Sequence, residues 1–120
     1  VITNQSGIGR GYYTEKDFLI LNNYMVKELI SKGIKINKTY FCPFHPTAAK
    51  GEYLKDSFDR KPNPGMILKG SIDLNVDLKR SMMIGDKNSD MLAAKNAGIE
   101  LYVNANQSNW VDIANSLMHL

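Results

Sequence analysis

Three short stretches of the chain carry side chains that could handle a phosphate group. Thr3-Asn4-Gln5-Ser6-Gly7 offers hydroxyls, amides and a turn-permitting glycine in succession. Such groups can donate several hydrogen bonds to phosphate oxygens; they also make an ordinary Asx-type turn, and the stretch alone weighs the two readings evenly. Gly85-Asp86 is followed four residues later by Asp90. Two carboxylates one helical turn apart suit Mg²⁺, a hard cation that takes oxygen ligands and keeps some of its waters. The plainer role, Asp86 capping a helix and Asp90 complementing its dipole, is favoured when the pair is taken alone. Lys61 lies in "DRKPNPG", residues 59–65, just before a proline-stiffened turn. It could be a fixed ammonium that neutralises a phosphate, although a solvated surface is the commoner fate of a lysine.

These residues need elements to hold them. Val1-Ile2-Thr3 reads as the end of a buried strand running into a polar turn. Thr14-Glu15-Lys16-Asp17 has the form of a capping box, and Phe18, Leu21, Met25 and Leu29 then recur at helical spacing until Lys32-Gly33 closes the pattern. "KTYFC", residues 38–42, is β-branched and aromatic and predicts a strand stopped by Pro43. Residues 43–63 form an insertion loop too long for a plain connection. Asn63-Pro64 predicts an N-cap with proline at the first helical position, and Met66, Ile67, Gly70 and Leu74 offer a packing face. "RSMMIG" predicts a buried strand, residues 89–97 a helix closed by Gly98, and "IELYV" a further strand. The tail, residues 110–120, has Val111, Ile113, Ala114, Leu117 and Met118 at helical spacing.

Strands alternating with helices imply parallel pairing through crossovers, hence an α/β fold. Ligands of such sheets bind at the carboxyl ends of the strands, where Thr3 and Asp86 stand. With 120 residues and 43% hydrophobic content, the chain has enough apolar material for one core, so residues 1–120 predict a single domain. The net charge of +3 attracts anions over about a Debye length, roughly 8 Å, and is too scattered to argue for nucleic acid. The single Cys42 excludes an internal disulfide framework and points to a reducing cytosol. No apolar run approaches the roughly 20 residues that span a bilayer, and no signal sequence opens the chain, so a cytoplasmic monomer without membrane contact is expected.

The order of the three stretches is more specific than any one of them. A strand ending in Thr, a later Lys before a helix, and a strand ending Gly-Asp with Asp four residues on resemble the haloacid dehalogenase-like phosphohydrolases. "VITNQSGIGRGYYTEKDF", "RKPNPGM" and "MIGDKNSDMLAAKNAGI" are closely similar to the D-glycero-D-manno-heptose 1,7-bisphosphate phosphatases, with histidinol-phosphate phosphatases as near relatives. The resemblance runs from Val1 to about Asn104. It implies a three-layer α/β/α Rossmann-like fold and a Mg²⁺-dependent phosphatase that removes the 7-phosphate of a heptose bisphosphate through an aspartyl-phosphate intermediate. That activity would serve nucleotide-activated heptose synthesis for lipopolysaccharide or a surface glycan. By the same resemblance Thr3, Asn4 and Ser6 would bind the transferring phosphoryl group and Lys61 would balance its charge. Asp86 would hold Mg²⁺ with Asp90 supporting both the metal and Lys61, and Arg60 and Lys87 would face the sugar phosphate. Mg²⁺ and a lysine together offset the repulsion between an attacking carboxylate and a phosphate dianion.

Two departures from the family pattern carry their own expectations. The family's nucleophile and its acid/base partner are an Asp-x-Asp pair on a strand upstream of the Thr motif, central in the sheet, and this chain holds no such strand. Asp56, Asp59, Asp73 and Asp77 do not repair the gap. Removing a central strand would cost an amount comparable to a domain's whole stability, about 5–15 kcal/mol. The chain is therefore expected to belong to a longer protein with about 30–50 further upstream residues, the span of a βαβ unit, and to be inactive alone. A catalytically silent phosphosugar- or partner-binding module is the reading of a different class. The second departure lies in the loop, where relatives place a structural zinc between Cys-x-His and Cys-x-Cys. Here Cys42-Pro43-Phe44-His45 and Ser57-Phe58-Asp59 retain only Cys42 of the four ligands, so zinc is not expected. Cys42, His45 and Asp59 could at most form a distorted site, and Phe44, Tyr53 and Phe58 are expected to pack the loop instead.

Overall fold

The computed structural model describes residues 1–107 and 109–118, which divide into two compact units, Val1–Arg60 and Lys61–Leu120.

In the first unit, β1 (Ile2–Asn4) pairs in parallel with β2 (Tyr40–Cys42), Thr3 standing opposite Phe41. The crossover between them contains a short helix, α1 (Ser6–Gly9), and the 17-residue α2 (Glu15–Ser31). The predicted capping box is present: Thr14 Oγ1 accepts from the Asp17 amide at 3.0 Å and Asp17 Oδ2 accepts from the Thr14 amide at 2.9 Å. Phe18 is the buried anchor of α2, and its ring meets Phe41 of β2 at 4.8 Å between centroids. Leu21 was expected on the same face and is instead exposed. The inward stripe runs through Phe18, Asn22, Met25, Val26 and Leu29, and Leu21 lies about a sixth of a turn from Phe18 on the side away from Asn22 and Val26. Residues 43–63 form a loop tied by a bridge between His45 and Leu54 and by a 3-10 turn at Gly51–Tyr53.

In the second unit, β3 (Met82–Gly85) pairs in parallel with β4 (Leu101–Asn104) across α4 (Asn88–Ala97), which is closed by Gly98 in the left-handed region at φ 93°. Before them comes α3 (Gly65–Leu74), packed against α4, and after them α5 (Trp110–Met118). Met66, Ile67, Ala93, Ala94, Ile99, Val103 and Ile113 make the core of this unit, the two alanines letting α4 come close to its neighbours. The cap of α3 is Pro64, one residue later than expected, with no side-chain hydrogen bond from the cap. Leu74 is partly exposed at the helix end rather than packed. In α5 only Ile113 of the expected apolar positions is buried, while Val111, Leu117 and Met118 are exposed and Ala114 is also open to solvent. Leu120, the expected end of this helix, lies outside the described residues.

Parallel strands joined by helical crossovers confirm the α/β reading. The expected burial of the first and third strands does not hold: none of Ile2, Thr3 and Asn4 is buried, and Ile84 is 39% exposed. Among the described residues each sheet has two strands, so β1 and β3 each pair along one edge only. A strand covered on one side keeps its residues half open.

Candidate functional site

The carboxyl end of β3 is organised by one buried carboxylate. Asp90 sits in the first turn of α4 and is 4% exposed. Its Oδ1 lies 2.5 Å from Lys61 Nζ, and its Oδ2 accepts from the backbone amides of Asp86 and Lys87, both at 3.1 Å. The carboxylate thus holds an ammonium with one oxygen and the strand end with the other. Burial alone pushes the Asp90 carboxyl up; the Lys61 hydrogen bond and charge, with the two amides, overcome this and hold it below its usual range. Gly85 makes the arrangement possible, because a Cβ there would stand 2.6 Å from both Cβ and Oδ2 of Asp90. The Lys61 turn is tied to α4 a second time, by Asn96 Nδ2 donating to the Pro62 carbonyl at 3.1 Å.

Asp86 occupies a different environment. Its side chain is exposed at the strand end and makes no hydrogen bond or ion pair among the described residues. Lys87, also exposed, is the N-cap residue of α4, and its carbonyl accepts from Tyr102 Oη at 3.3 Å. Burial raises the Tyr102 pKa, and the negative charges of Asp90 and Asp86 add to the rise. The second unit therefore brings together Lys61, Asp86, Lys87 and Asp90. Asp86 is free to take a hard cation, whereas both oxygens of Asp90 are already engaged by protein donors. No three His, Cys, Asp or Glu side chains gather around one point among the described residues, so the chain offers Mg²⁺ a carboxylate rather than a complete cage.

In the first unit Thr3, Asn4 and Ser6 stand where β1 runs into α1, at the carboxyl end of the strand. Gln5 follows the ladder by donating its amide to the Cys42 carbonyl at 2.8 Å. Its side chain connects two further groups: Tyr13 Oη donates to Gln5 Oε1 at 2.5 Å, and Gln5 Nε2 donates to Thr3 Oγ1 at 2.9 Å. The sequence alone assigns Gln5 no separate role and carries no signal for Tyr13, because their meeting depends on the turn that folds residues 7–12 back, closed by Tyr12 N donating to Gly7 O at 2.9 Å. Arg60 ends this unit, its guanidinium reaching the Phe44 carbonyl at 3.5 Å.

The loop is held by packing and turns. Cys42 is a fully buried free thiol. His45 Nδ1 accepts from the amides of Thr47 at 3.1 Å and Ala48 at 2.8 Å, which uses that lone pair. Burial, followed by the charges of Arg60 and Arg10, lowers the His45 pKa. Phe44 packs on Tyr53 with centroids 5.9 Å apart and carries Lys55 Nζ at 4.1 Å over its ring. Phe58, expected to join this packing, is 63% exposed because it falls beyond the bridged part of the loop.

Comparison with known proteins finds similarity to phosphatases. The profile of the HAD-hydrolase-like family matches residues 58–104. A D-glycero-alpha-D-manno-heptose-1,7-bisphosphate 7-phosphatase of Burkholderia mallei is 48% identical over 99 residues, covering 82% of this chain and 52% of that protein. The corresponding beta-heptose enzyme of Pasteurella multocida is 48% identical over 100 residues, covering 83% of this chain and 54% of its own length. The chain thus spans about half the length of these curated relatives. Among solved structures, a HAD-like phosphatase from Mesorhizobium loti superposes with a TM-score of 0.86 at 31% identity, over 98% of this chain and 64% of that one. A D,D-heptose 1,7-bisphosphate phosphatase from B. bronchiseptica, complexed with magnesium and phosphate, superposes with a TM-score of 0.71 at 30% identity, over 81% of this chain and 50% of that one. With the ordered motifs, the parallel α/β units and these matches in agreement, the chain belongs to the haloacid dehalogenase-like phosphatases and is similar, among them, to the heptose bisphosphate phosphatases.

Proposed function

We propose that this chain forms the phosphate-neutralising and metal-anchoring part of a phosphatase that releases the 7-phosphate of D-glycero-D-manno-heptose 1,7-bisphosphate in the cytoplasm. The observation that carries this reading is the division of labour around Asp90. One carboxylate is spent on fixing Lys61 and the end of β3, and that leaves Asp86 exposed with an unengaged side chain. A lysine held by a buried carboxylate points a fixed positive charge, which is what a phosphate dianion needs before a nucleophile can approach it. Mg²⁺ would supply a second positive charge and orient a phosphate oxygen, with Asp86 as its ligand from this chain.

Thr3, Asn4 and Ser6 take the phosphoryl oxygens in this proposal, and Arg60 and Lys87 take the sugar phosphate. Neither the nucleophile nor the acid/base aspartate is assigned to a residue of this chain. The names of the relatives, and the magnesium and phosphate of the B. bronchiseptica complex, support the assignment. The test is phosphate release by the product of the complete gene from heptose 1,7-bisphosphate and from histidinol phosphate side by side, with Mg²⁺ and with chelator. Preferred turnover of the heptose bisphosphate, lost on chelation, is expected. Preferred turnover of histidinol phosphate overturns the substrate assignment, and release from neither would favour a silent binding module.

A further inference from the structure

The hydrogen bonds behind Thr3 have a direction. Tyr13 Oη donates to Gln5 Oε1, which turns the other end of the amide, Nε2, toward Thr3 Oγ1. A phenol is a better donor than an aliphatic hydroxyl, so the tyrosine selects this orientation of an amide that could otherwise turn either way. Thr3 Oγ1 is then an acceptor on its inner side and keeps its single proton for another partner. Among the described residues that proton is directed to the Asn4 carbonyl, at a long 3.4 Å.

We infer that Tyr13 is a positioning residue for the phosphate site: acting through Gln5, it holds the Thr3 hydroxyl as a donor directed to ligand. The inference rests on the proposed role of Thr3 and adds two residues to it. Without the tyrosine hydroxyl the amide can reverse, presenting Oε1 to Thr3, and the threonine proton then turns inward. The tyrosine is itself seated by Gly7, since a Cβ at that position would stand 2.3 Å from Tyr13 Cε1 and 2.9 Å from its hydroxyl. Gly7→Ala should therefore displace the ring and break the same relay without removing the phenol.

The experiment compares wild type, Tyr13→Phe, Gly7→Ala, Thr3→Val and the Tyr13→Phe/Thr3→Val double variant in the complete protein. It reads the Gln5 side-chain amide resonances, the Thr3 methyl resonance and the Kd for inorganic phosphate. Tyr13→Phe and Gly7→Ala are each expected to shift the Gln5 and Thr3 resonances, to leave the α2 backbone amides in place, and to weaken phosphate about fivefold, the worth of one hydrogen bond. In the Thr3→Val background Tyr13→Phe should add nothing. Unchanged Gln5 resonances, or an equal loss in the Thr3→Val background, would overturn the inference. If Thr3→Val itself leaves phosphate affinity unchanged, the proposed role of Thr3 fails and so does the link to phosphate, while the resonances still decide the relay.

Discussion

Lys61 Nζ lies 2.5 Å from Asp90 Oδ1, while the other oxygen of that carboxylate accepts the amides of Asp86 and Lys87. One buried side chain therefore sets the position of the lysine and of the strand end that carries Asp86. Asp90 does this from the first turn of α4, where a carboxylate also complements the helix dipole. Its plainer structural role and its supporting role in the site are the same set of hydrogen bonds.

Removing either partner should be costly in a way that distinguishes them. Lys61→Met leaves a buried carboxylate with two amide donors and no counter-charge, and should lower stability by about 1.5–3 kcal/mol in denaturant titration. Asp90→Asn loses the ion pair and also sets an amide group against two backbone donors, so it should cost at least as much. Both should abolish phosphate release by the complete protein.

The same pair sets a pH dependence. The folded pKa of Asp90 lies below its ordinary value of 3.8, so its contribution to stability is present above about that pH and is lost as pH falls through the depressed folded value. Acid unfolding of wild type should therefore show a limb below pH 3.8 that Asp90→Asn lacks, measured as unfolding free energy against pH.

Gly85→Ala tests the close approach that lets Asp90 reach back. The added Cβ would meet Asp90 at 2.6 Å, and a packed side chain with three hydrogen bonds cannot yield without losing some of them. A destabilisation of about 1–3 kcal/mol is expected from overpacking, together with reduced phosphate affinity.

Asp86→Asn should behave in the opposite manner. The Asp86 side chain is exposed and unengaged among the described residues, so the substitution should change stability by less than about 0.5 kcal/mol. Mg²⁺ affinity of the complete protein should fall about tenfold or more, read by calorimetry. An unchanged Mg²⁺ affinity would remove Asp86 from the metal site.

His45 gives the loop its own pH response. Its pKa is lowered, so the neutral ring is the folded form, and its contribution is present above the ordinary value of 6.5 and lost as pH falls through the depressed one. Protonated Nδ1 cannot accept from Thr47 and Ala48. Protection of those two amides against hydrogen exchange, relative to the intrinsic rate at each pH, should fall on acidification below pH 6.5 in wild type, and should be low at all pH values in His45→Ala.

What the sequence makes legible is local. The Thr14–Asp17 capping box, the strand end at Gly85-Asp86 and the glycine stop of α4 are each specified within a few residues, and the structure has all three. Burial was harder to read, because it depends on what lies across from a residue. Leu21, Leu74 and Phe58 are apolar at plausible positions and still face solvent, and Ile84 is half open because β3 pairs along one edge. The Tyr13–Gln5–Thr3 relay escaped for a related reason: its members are close in sequence, and only the turn around Gly11, at φ 81°, shows that they touch.

The most direct test of the central claim is Mg²⁺-dependent phosphate release from D-glycero-D-manno-heptose 1,7-bisphosphate by the product of the complete gene, in wild type and in Lys61→Met, with the position of the remaining phosphate determined by NMR. The account predicts release of the 7-phosphate with the 1-phosphate retained, loss of activity on chelation, and loss in the variant although it remains folded in the absence of denaturant. Release that survives both chelation and the loss of Lys61, or removal of the 1-phosphate instead, would contradict it.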